Sequence, residues 1–122
     1  MSWRLPKGPN GTNGSEFEIM LQAAGIANPN ITDNGSGSAV NVDYTGDGNL
    51  SSTNMEKSPY YFARSGNVGG TTLYNFTSRG YYWSGSVVSS SGVFDLYYSS
   101  SALYPAGQDY RYDGRSLRCV AW

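Results

Sequence analysis

Histidine is absent from this chain of 122 residues, and cysteine occurs only once, as Cys119. Histidine is the usual general base near neutral pH and a common zinc ligand, so its absence excludes Ser–His and Cys–His catalytic pairs and the most frequent zinc sites. A single cysteine excludes an intrachain disulfide. Cys119 stands in the apolar run from Leu117 to Trp122, and we expect it to be a buried small hydrophobe rather than a reactive thiol.

Charge is also scarce: 8 Lys and Arg residues against 9 Asp and Glu residues give a formal net charge of −1. No Lys/Arg cluster could neutralise a run of phosphates, so we expect no nucleic-acid partner. No apolar run approaches the ~20 residues that cross a bilayer, so we expect no membrane insertion by this segment. No signal peptide is recognisable, and we expect a single domain, 1–122, from the C-terminal part of a longer protein.

One stretch has a clear helical pattern. Ser15 and Glu18 form a capping box, in which the Ser15 hydroxyl accepts a hydrogen bond from the Glu18 backbone N–H. An apolar face follows at helical spacing, formed by Phe17, Met20, Leu21 and Ala24. Gly25 is a typical C-terminal stop. The pattern therefore predicts a helix over about 15–24.

Short strand patterns fill much of the remaining chain, at 3–6, 39–44, 59–64, 71–76, 81–86, 93–99, 103–104 and 116–122, with a loop at 65–70. In the strand over 93–99, alternation predicts that Leu96 and Tyr98 face inward while Asp95 and Tyr97 face outward. We also expect Tyr82 and Trp83 in the core. One helix, short antiparallel strands and long loops define an α+β fold.

The stretch 27–53 is rich in Asn, Asp and Gly. Asp43, Asp47 and Asn49 could supply oxygen ligands to calcium, but no glutamate closes the loop at the EF-hand position. Asp and Asn are also ordinary turn formers, and this is the interpretation we favour. We therefore predict no metal and no cofactor.

Residues 80–120 are dominated by Tyr, Ser, Gly and Asp, the composition of an antibody paratope. Tyrosine supplies rigid contact area, and serine and glycine supply adaptable spacing. Tyrosine is also common in ordinary strands, which leaves a packing role open. Asp95, Asp109 and Asp113 could act as paired carboxylates in hydrolysis, but nothing in the sequence indicates the required pKa or separation. We therefore predict no enzymatic activity.

The order of several motifs carries a resemblance to a known family. These motifs are Trp3-Arg4-Leu5-Pro6, a helix beginning near Glu16-Phe17, and the stretches 60–66, 80–84 and 111–120. Together they resemble C-type-lectin-fold domains related to the Fibrobacter succinogenes major paralogous domain, and more narrowly the variable proteins of diversity-generating retroelements. The resemblance implies a C-type-lectin-like fold whose C-terminal strands display a ligand-binding face.

In such proteins an error-prone reverse transcriptase rewrites adenine positions, which scatters Asn codons into Tyr, Ser, Asp, Gly, Val and Phe. Within 80–120, the resemblance implies these variable ligand-binding positions: Val87, Val88, Phe94, Asp95, Tyr97, Ala102, Tyr104, Gly107, Asp109, Tyr110, Tyr112, Asp113 and Arg115. It implies this fixed framework: Tyr82, Trp83, Ser84, Leu96, Tyr98, Pro105, Arg111, Gly114, Ser116, Arg118 and Cys119. Gln108 departs from the pattern, since adenine substitution does not simply produce its codon.

The same superfamily includes formylglycine-generating enzymes, but these need a pair of active-site cysteines and Cys119 stands alone. The resemblance therefore implies a non-catalytic domain that is displayed on a cell or virion surface and binds a macromolecular ligand, either protein or glycan. Two alternatives stay open. One is a fixed carbohydrate-binding module of the same fold, and the other is a structural domain of a surface or pilus protein.

Overall fold

The computed structural model describes residues 2–10, 15–23, 55–56, 61–99 and 103–121. These residues form one α-helix and seven β-strands: β1 Trp3–Arg4, α1 Glu16–Ala23, β2 Asn67–Gly69, β3 Thr72–Tyr74, β4 Arg79–Val87, β5 Gly92–Ser99, β6 Leu103–Tyr110 and β7 Val120–Ala121. The paired strands are antiparallel. This arrangement confirms the α+β class. The predicted strand over 39–44 and the calcium candidates Asp43, Asp47 and Asn49 lie outside the described residues.

The central element is a three-stranded sheet in the order β4-β5-β6. Between β5 and β6 the register shifts, because Asp95 lies opposite Gly107 while Tyr97 lies opposite Tyr104. The strand β6 therefore holds one extra residue, a β-bulge that accommodates Pro105, whose missing N–H would interrupt a regular ladder.

The core lies against one face of this sheet. Tyr82 and Leu96 are directly opposite each other on β4 and β5, and both are buried, as is Tyr98. Phe62 packs edge-on against Tyr82, with ring centroids 4.9 Å apart, and Phe17 of α1 packs edge-on against Phe62 at 6.5 Å. The prediction that Leu96 and Tyr98 face inward is confirmed.

The helix α1 begins as its capping pattern predicts. The Ser15 hydroxyl accepts a hydrogen bond from the Glu18 backbone N–H at 3.1 Å. The same hydroxyl donates to the Pro105 carbonyl at 2.6 Å, so the cap also joins the helix to the bulge of β6. Phe17 and Leu21 are fully buried on the predicted apolar face.

Three strand predictions and one loop prediction need correction. Residues 61–64 of the strand predicted over 59–64 have no strand structure, and the loop predicted over 65–70 contains β2. The strand predicted over 103–104 extends to Tyr110, because pairing with β5 overrides the turn-forming composition of 105–109. The strand predicted over 116–122 shortens to β7, and Ser116 makes only an isolated parallel bridge with Tyr82.

Cys119 is exposed, so the prediction of a buried hydrophobe is wrong. Cys119 and the two residues before it have no strand structure, since the two-residue strand β7 begins only at Val120 and pairs with β1. Strand alternation therefore does not govern where the Cys119 side chain points.

Candidate functional site

Three tyrosines form a row across the central sheet, on the face opposite the core. Tyr81, Tyr97 and Tyr104 are directly opposite one another on β4, β5 and β6. Their ring centroids are 5.0 Å apart at both steps, with the rings tilted by 34° and 44°. Tyr81 is buried, whereas Tyr97 and Tyr104 are half-buried. Cross-strand register therefore produces this tyrosine ladder, as it does other aromatic pairs in antiparallel sheets.

The ladder borders an open cleft of ≈ 270 Å³, which we call the tyrosine cleft. Its lining consists of Arg79, Tyr81, Asp95, Tyr97, Tyr104, Gly107, Gln108 and Asp109. Arg79 lies opposite Ser99 at one end of β5, whereas Gln108 and Asp109 lie opposite Phe94 and Val93 at the other end. The cleft thus runs along β5 and crosses the ladder, from a cationic end to a polar and acidic end.

A second open cleft of ≈ 340 Å³ adjoins the first and shares Gln108 and Asp109 with it. We call it the serine cleft; its other lining residues are Val88, Ser89, Ser91, Gly92 and Tyr110. Tyr110 stacks nearly parallel on Tyr112, with centroids 5.0 Å apart and an interplanar angle of 9°. Both rings are exposed, at 56% and 72% of their surface. The two clefts form a continuous surface with exposed aromatic side chains at its margin.

Beneath the tyrosine cleft lies a buried cation, Arg115, whose side chain is only 2% exposed. Its guanidinium forms ion pairs with Asp95 at 3.2 Å, Asp109 at 3.0 Å and Asp113 at 3.4 Å. It also lies 4.1 Å from the ring centroid of Tyr81, within cation–π range. Arg115 therefore connects the segment after β6 to Tyr81 of the ladder and to Asp95 of β5.

Asp95, one of the expected variable positions on the binding surface, is buried. It does lie on the face opposite Leu96, as alternation predicts, but it is 1% exposed because the Arg115 side chain covers it. Gly107 leaves it room, since a Cβ on Gly107 would overlap Asp95 Oδ1. Neither carboxylate oxygen accepts a hydrogen bond, so the contact with Arg115 is one of charge. Burial raises the pKa of Asp95 to about 7, and the charge of Arg115 opposes that rise.

The expected variable positions fall into three groups. The exposed side chains are Val87, Val88, Tyr110 and Tyr112. The half-buried residues are Phe94, Tyr97, Tyr104, Asp109 and Asp113. The buried groups are Asp95, Gly107 and the Arg115 side chain. Ala102 lies outside the described residues. The predicted set is thus a mixture of surface and buried positions.

Three residues that line the tyrosine cleft were not among the predicted site residues: Arg79, Tyr81 and Gln108. Tyr81 enters the site through its register with Tyr97, which requires knowledge of the strand pairing. Arg79 immediately precedes Gly80, the first residue of the stretch 80–120 in which the variable positions are expected. Gln108 lacks the signature of adenine substitution, so the expected pattern of variable positions does not include it.

Within the described ranges, no group of three or more His, Cys, Asp or Glu side chains could hold a metal ion. No helix in that part of the chain is long and apolar enough to cross a membrane. Comparison with protein-family models, with curated proteins and with solved structures finds no match. The fold and site define a small α+β domain with an aromatic cleft on its sheet.

Proposed function

We propose that the chain is a non-catalytic ligand-binding display domain with a C-type-lectin-like fold, of the kind that retroelements diversify. The main observation in support is the tyrosine ladder on the sheet face opposite the core. The cleft at this ladder continues into the serine cleft, and exposed Tyr110 lies at its margin. Aromatic side chains in a cleft provide the anchors that dominate binding energy at protein interfaces.

The division between core and surface supports the proposal. The framework side chains Tyr82, Leu96 and Tyr98 are buried, whereas Val87 and Tyr112, two expected variable positions, are 68% and 72% exposed. Substitutions at exposed positions away from caps and ion pairs usually change stability by less than about 0.5 kcal/mol. A scaffold of this kind can exchange surface side chains and keep its fold.

The proposed surface would supply at most one partner's share, about half, of a standard interface of ~1,600 Å². Buried area does not by itself set the affinity of one copy. Where each copy binds with modest affinity, display of several copies on a cell or virion surface would raise the overall affinity through effective concentration.

Sequencing many copies of the gene from a natural population tests the diversification. We expect differences concentrated at the expected variable positions, with a near-identical, Asn-rich copy of residues 80–120 beside a reverse-transcriptase gene. An invariant 80–120 region would contradict the proposal and favour the fixed carbohydrate-binding module or the structural domain.

Photocrosslinking tests the location of the binding face. A benzoylphenylalanine at position 112 should give a discrete crosslinked product with the target, because Tyr112 borders the proposed surface. The same group at position 76 is the matched control, since Phe76 is 62% exposed but lies outside residues 80–120. Crosslinking from position 76 alone would contradict the proposed face.

A further inference from the structure

We propose that Arg79 anchors a carboxylate of the target, so that the tyrosine cleft takes an acidic side chain of a protein together with a neighbouring aromatic or aliphatic side chain. The inference rests on the proposed binding function and assigns a chemistry to its ligand. Arg79 belongs to neither the expected variable positions nor the expected framework, and it immediately precedes residues 80–120.

Arg79 is exposed at the start of β4, and its guanidinium carbon lies 5.7 Å from the Tyr97 ring centroid. A side-chain hydrogen bond to Tyr81 helps to hold it there and raises its pKa, so it stays charged. Other arginines of the described residues, Arg4, Arg64 and Arg115, pair with carboxylates. Among the ion pairs of the described residues, Arg79 takes part in none.

An arginine held over an aromatic ring is well suited to a ligand carboxylate. Its planar guanidinium can donate two parallel hydrogen bonds to the two carboxylate oxygens, and an oriented side chain loses less entropy on binding. Asp109, at the far end of the cleft, is paired with Arg115 at 3.0 Å and so has a cation of its own. The cleft therefore presents Arg79 as its open positive charge.

The ladder next to Arg79 supplies the second part of the site. Tyr97 and Tyr104 are half-buried, with their rings tilted by 44° to each other, and their accessible parts present aromatic surface to the cleft. An aromatic or aliphatic side chain can lie on such rings and gain both dispersion and edge-to-face contacts. A carboxylate next to a large apolar side chain matches this order of groups.

The surface favours a protein over a glycan. The tyrosine cleft continues through Gln108 and Asp109 into the serine cleft, where Val88 and Tyr110 add apolar surface, at 40% and 56% exposure. Tyrosine rings can also stack on sugar rings, but an aliphatic side chain such as Val88 gains little from hydroxyl-rich saccharides and buries well against protein side chains. The charge and the apolar extension together point to an acidic protein segment.

Two blocked peptides test the inference by amide-shift NMR titration: N-acetyl-Phe-Glu-Phe-amide, and the matched N-acetyl-Phe-Gln-Phe-amide. We expect the Glu peptide to bind about threefold more tightly at low salt, within the usual range for an exposed ion pair. In Arg79→Gln the preference should fall to nearly one. In Lys7→Gln, which removes an exposed charge away from the cleft, it should persist. Rising salt should weaken the preference.

The outcomes separate the inference from the function on which it rests. Equal binding of both peptides, with shifts at Tyr97 and Tyr104, would overturn the carboxylate preference and leave the binding face intact. Absence of shifts at the ladder with both peptides and with methyl glucuronide would count against both the inference and the binding face. Shifts there with methyl glucuronide, but with neither peptide, would assign the carboxylate to a glycan and overturn the protein partner. Unchanged spectra elsewhere in Arg79→Gln show that the variant is folded.

Discussion

At the scale of single residues, Arg115 and Asp95 form a buried ion pair within a segment that the sequence marks as surface. The pairing places two expected variable positions in contact, together with Asp109 and Asp113. Breaking a buried pair from one side leaves an uncompensated charge, which costs more than the intact pair contributes. The choice of residue at these positions is therefore coupled through the fold.

Arg115→Met should lower the free energy of unfolding by about 3 kcal/mol at pH 8, because Asp95 stays buried and loses its cation. Urea denaturation measures the change. Arg111→Met is the matched control, since Arg111 is exposed, and it should change stability by less than about 0.5 kcal/mol. Adding Asp95→Leu to Arg115→Met should recover part of the loss, whereas equal effects of Arg115→Met and Arg111→Met would contradict the buried pair.

The pKa of Asp95 predicts a pH dependence of stability. Its folded pKa of about 7 lies above the ordinary 3.8, so the folded protein binds this proton more tightly than the unfolded chain. The resulting stabilisation is complete below about pH 4 and is lost as pH rises through about 7. Between pH 8 and pH 5 the free energy of unfolding should therefore increase, by at least about 1 kcal/mol.

Asp95→Asn supplies the control for this pH dependence. The amide cannot titrate, so the part of the slope between pH 5 and pH 8 that Asp95 causes should disappear from the denaturation profile. Arg115 and Asp109 are the charged groups that face Asp95, and both are retained in this variant. An unchanged slope would show that Asp95 titrates in its ordinary range.

At the scale of elements, the capped start of α1 links the helix to the bulge of β6. Ser15→Ala removes the acceptor for the Glu18 N–H and the donor to the Pro105 carbonyl. We expect a loss of about 2 kcal/mol in the free energy of unfolding, from the cap and from the buried carbonyl left unpaired. Ser90→Ala, at an exposed position, should leave the urea midpoint unchanged. A midpoint in Ser15→Ala as high as in Ser90→Ala would contradict this role.

The elements with strong local signals were predictable from the sequence. The capping box and apolar spacing placed α1 within a residue of its observed ends, and alternation placed Leu96 and Tyr98 in the core. The strand β6 was largely missed, because Pro105, Gly107 and Asp109 favour turns and only pairing with β5 makes them extended.

The site was predictable in part for a related reason. Composition indicated that Tyr97 and Tyr104 could serve binding, and the structure brings both into one cleft. That Arg115 covers Asp95 depends on a contact between residues twenty positions apart, and that Arg79 joins the cleft depends on strand pairing. Periodicity within a single segment carries no information on such contacts.

At the scale of the whole molecule, we expect a fixed core and a surface whose side chains can be interchanged. The most direct measurement is the trypsin resistance of two displayed libraries. The surface library randomises Val87, Val88, Tyr110 and Tyr112. The core library randomises Tyr82, Leu96, Tyr98 and Ala106, all of which are buried.

We expect most clones of the surface library to resist trypsin as well as the parent chain, and most clones of the core library to be cleaved, because core substitutions leave cavities or force strain. Equal cleavage of the two libraries would mean that the exposed rings are needed for folding, and it would contradict the account.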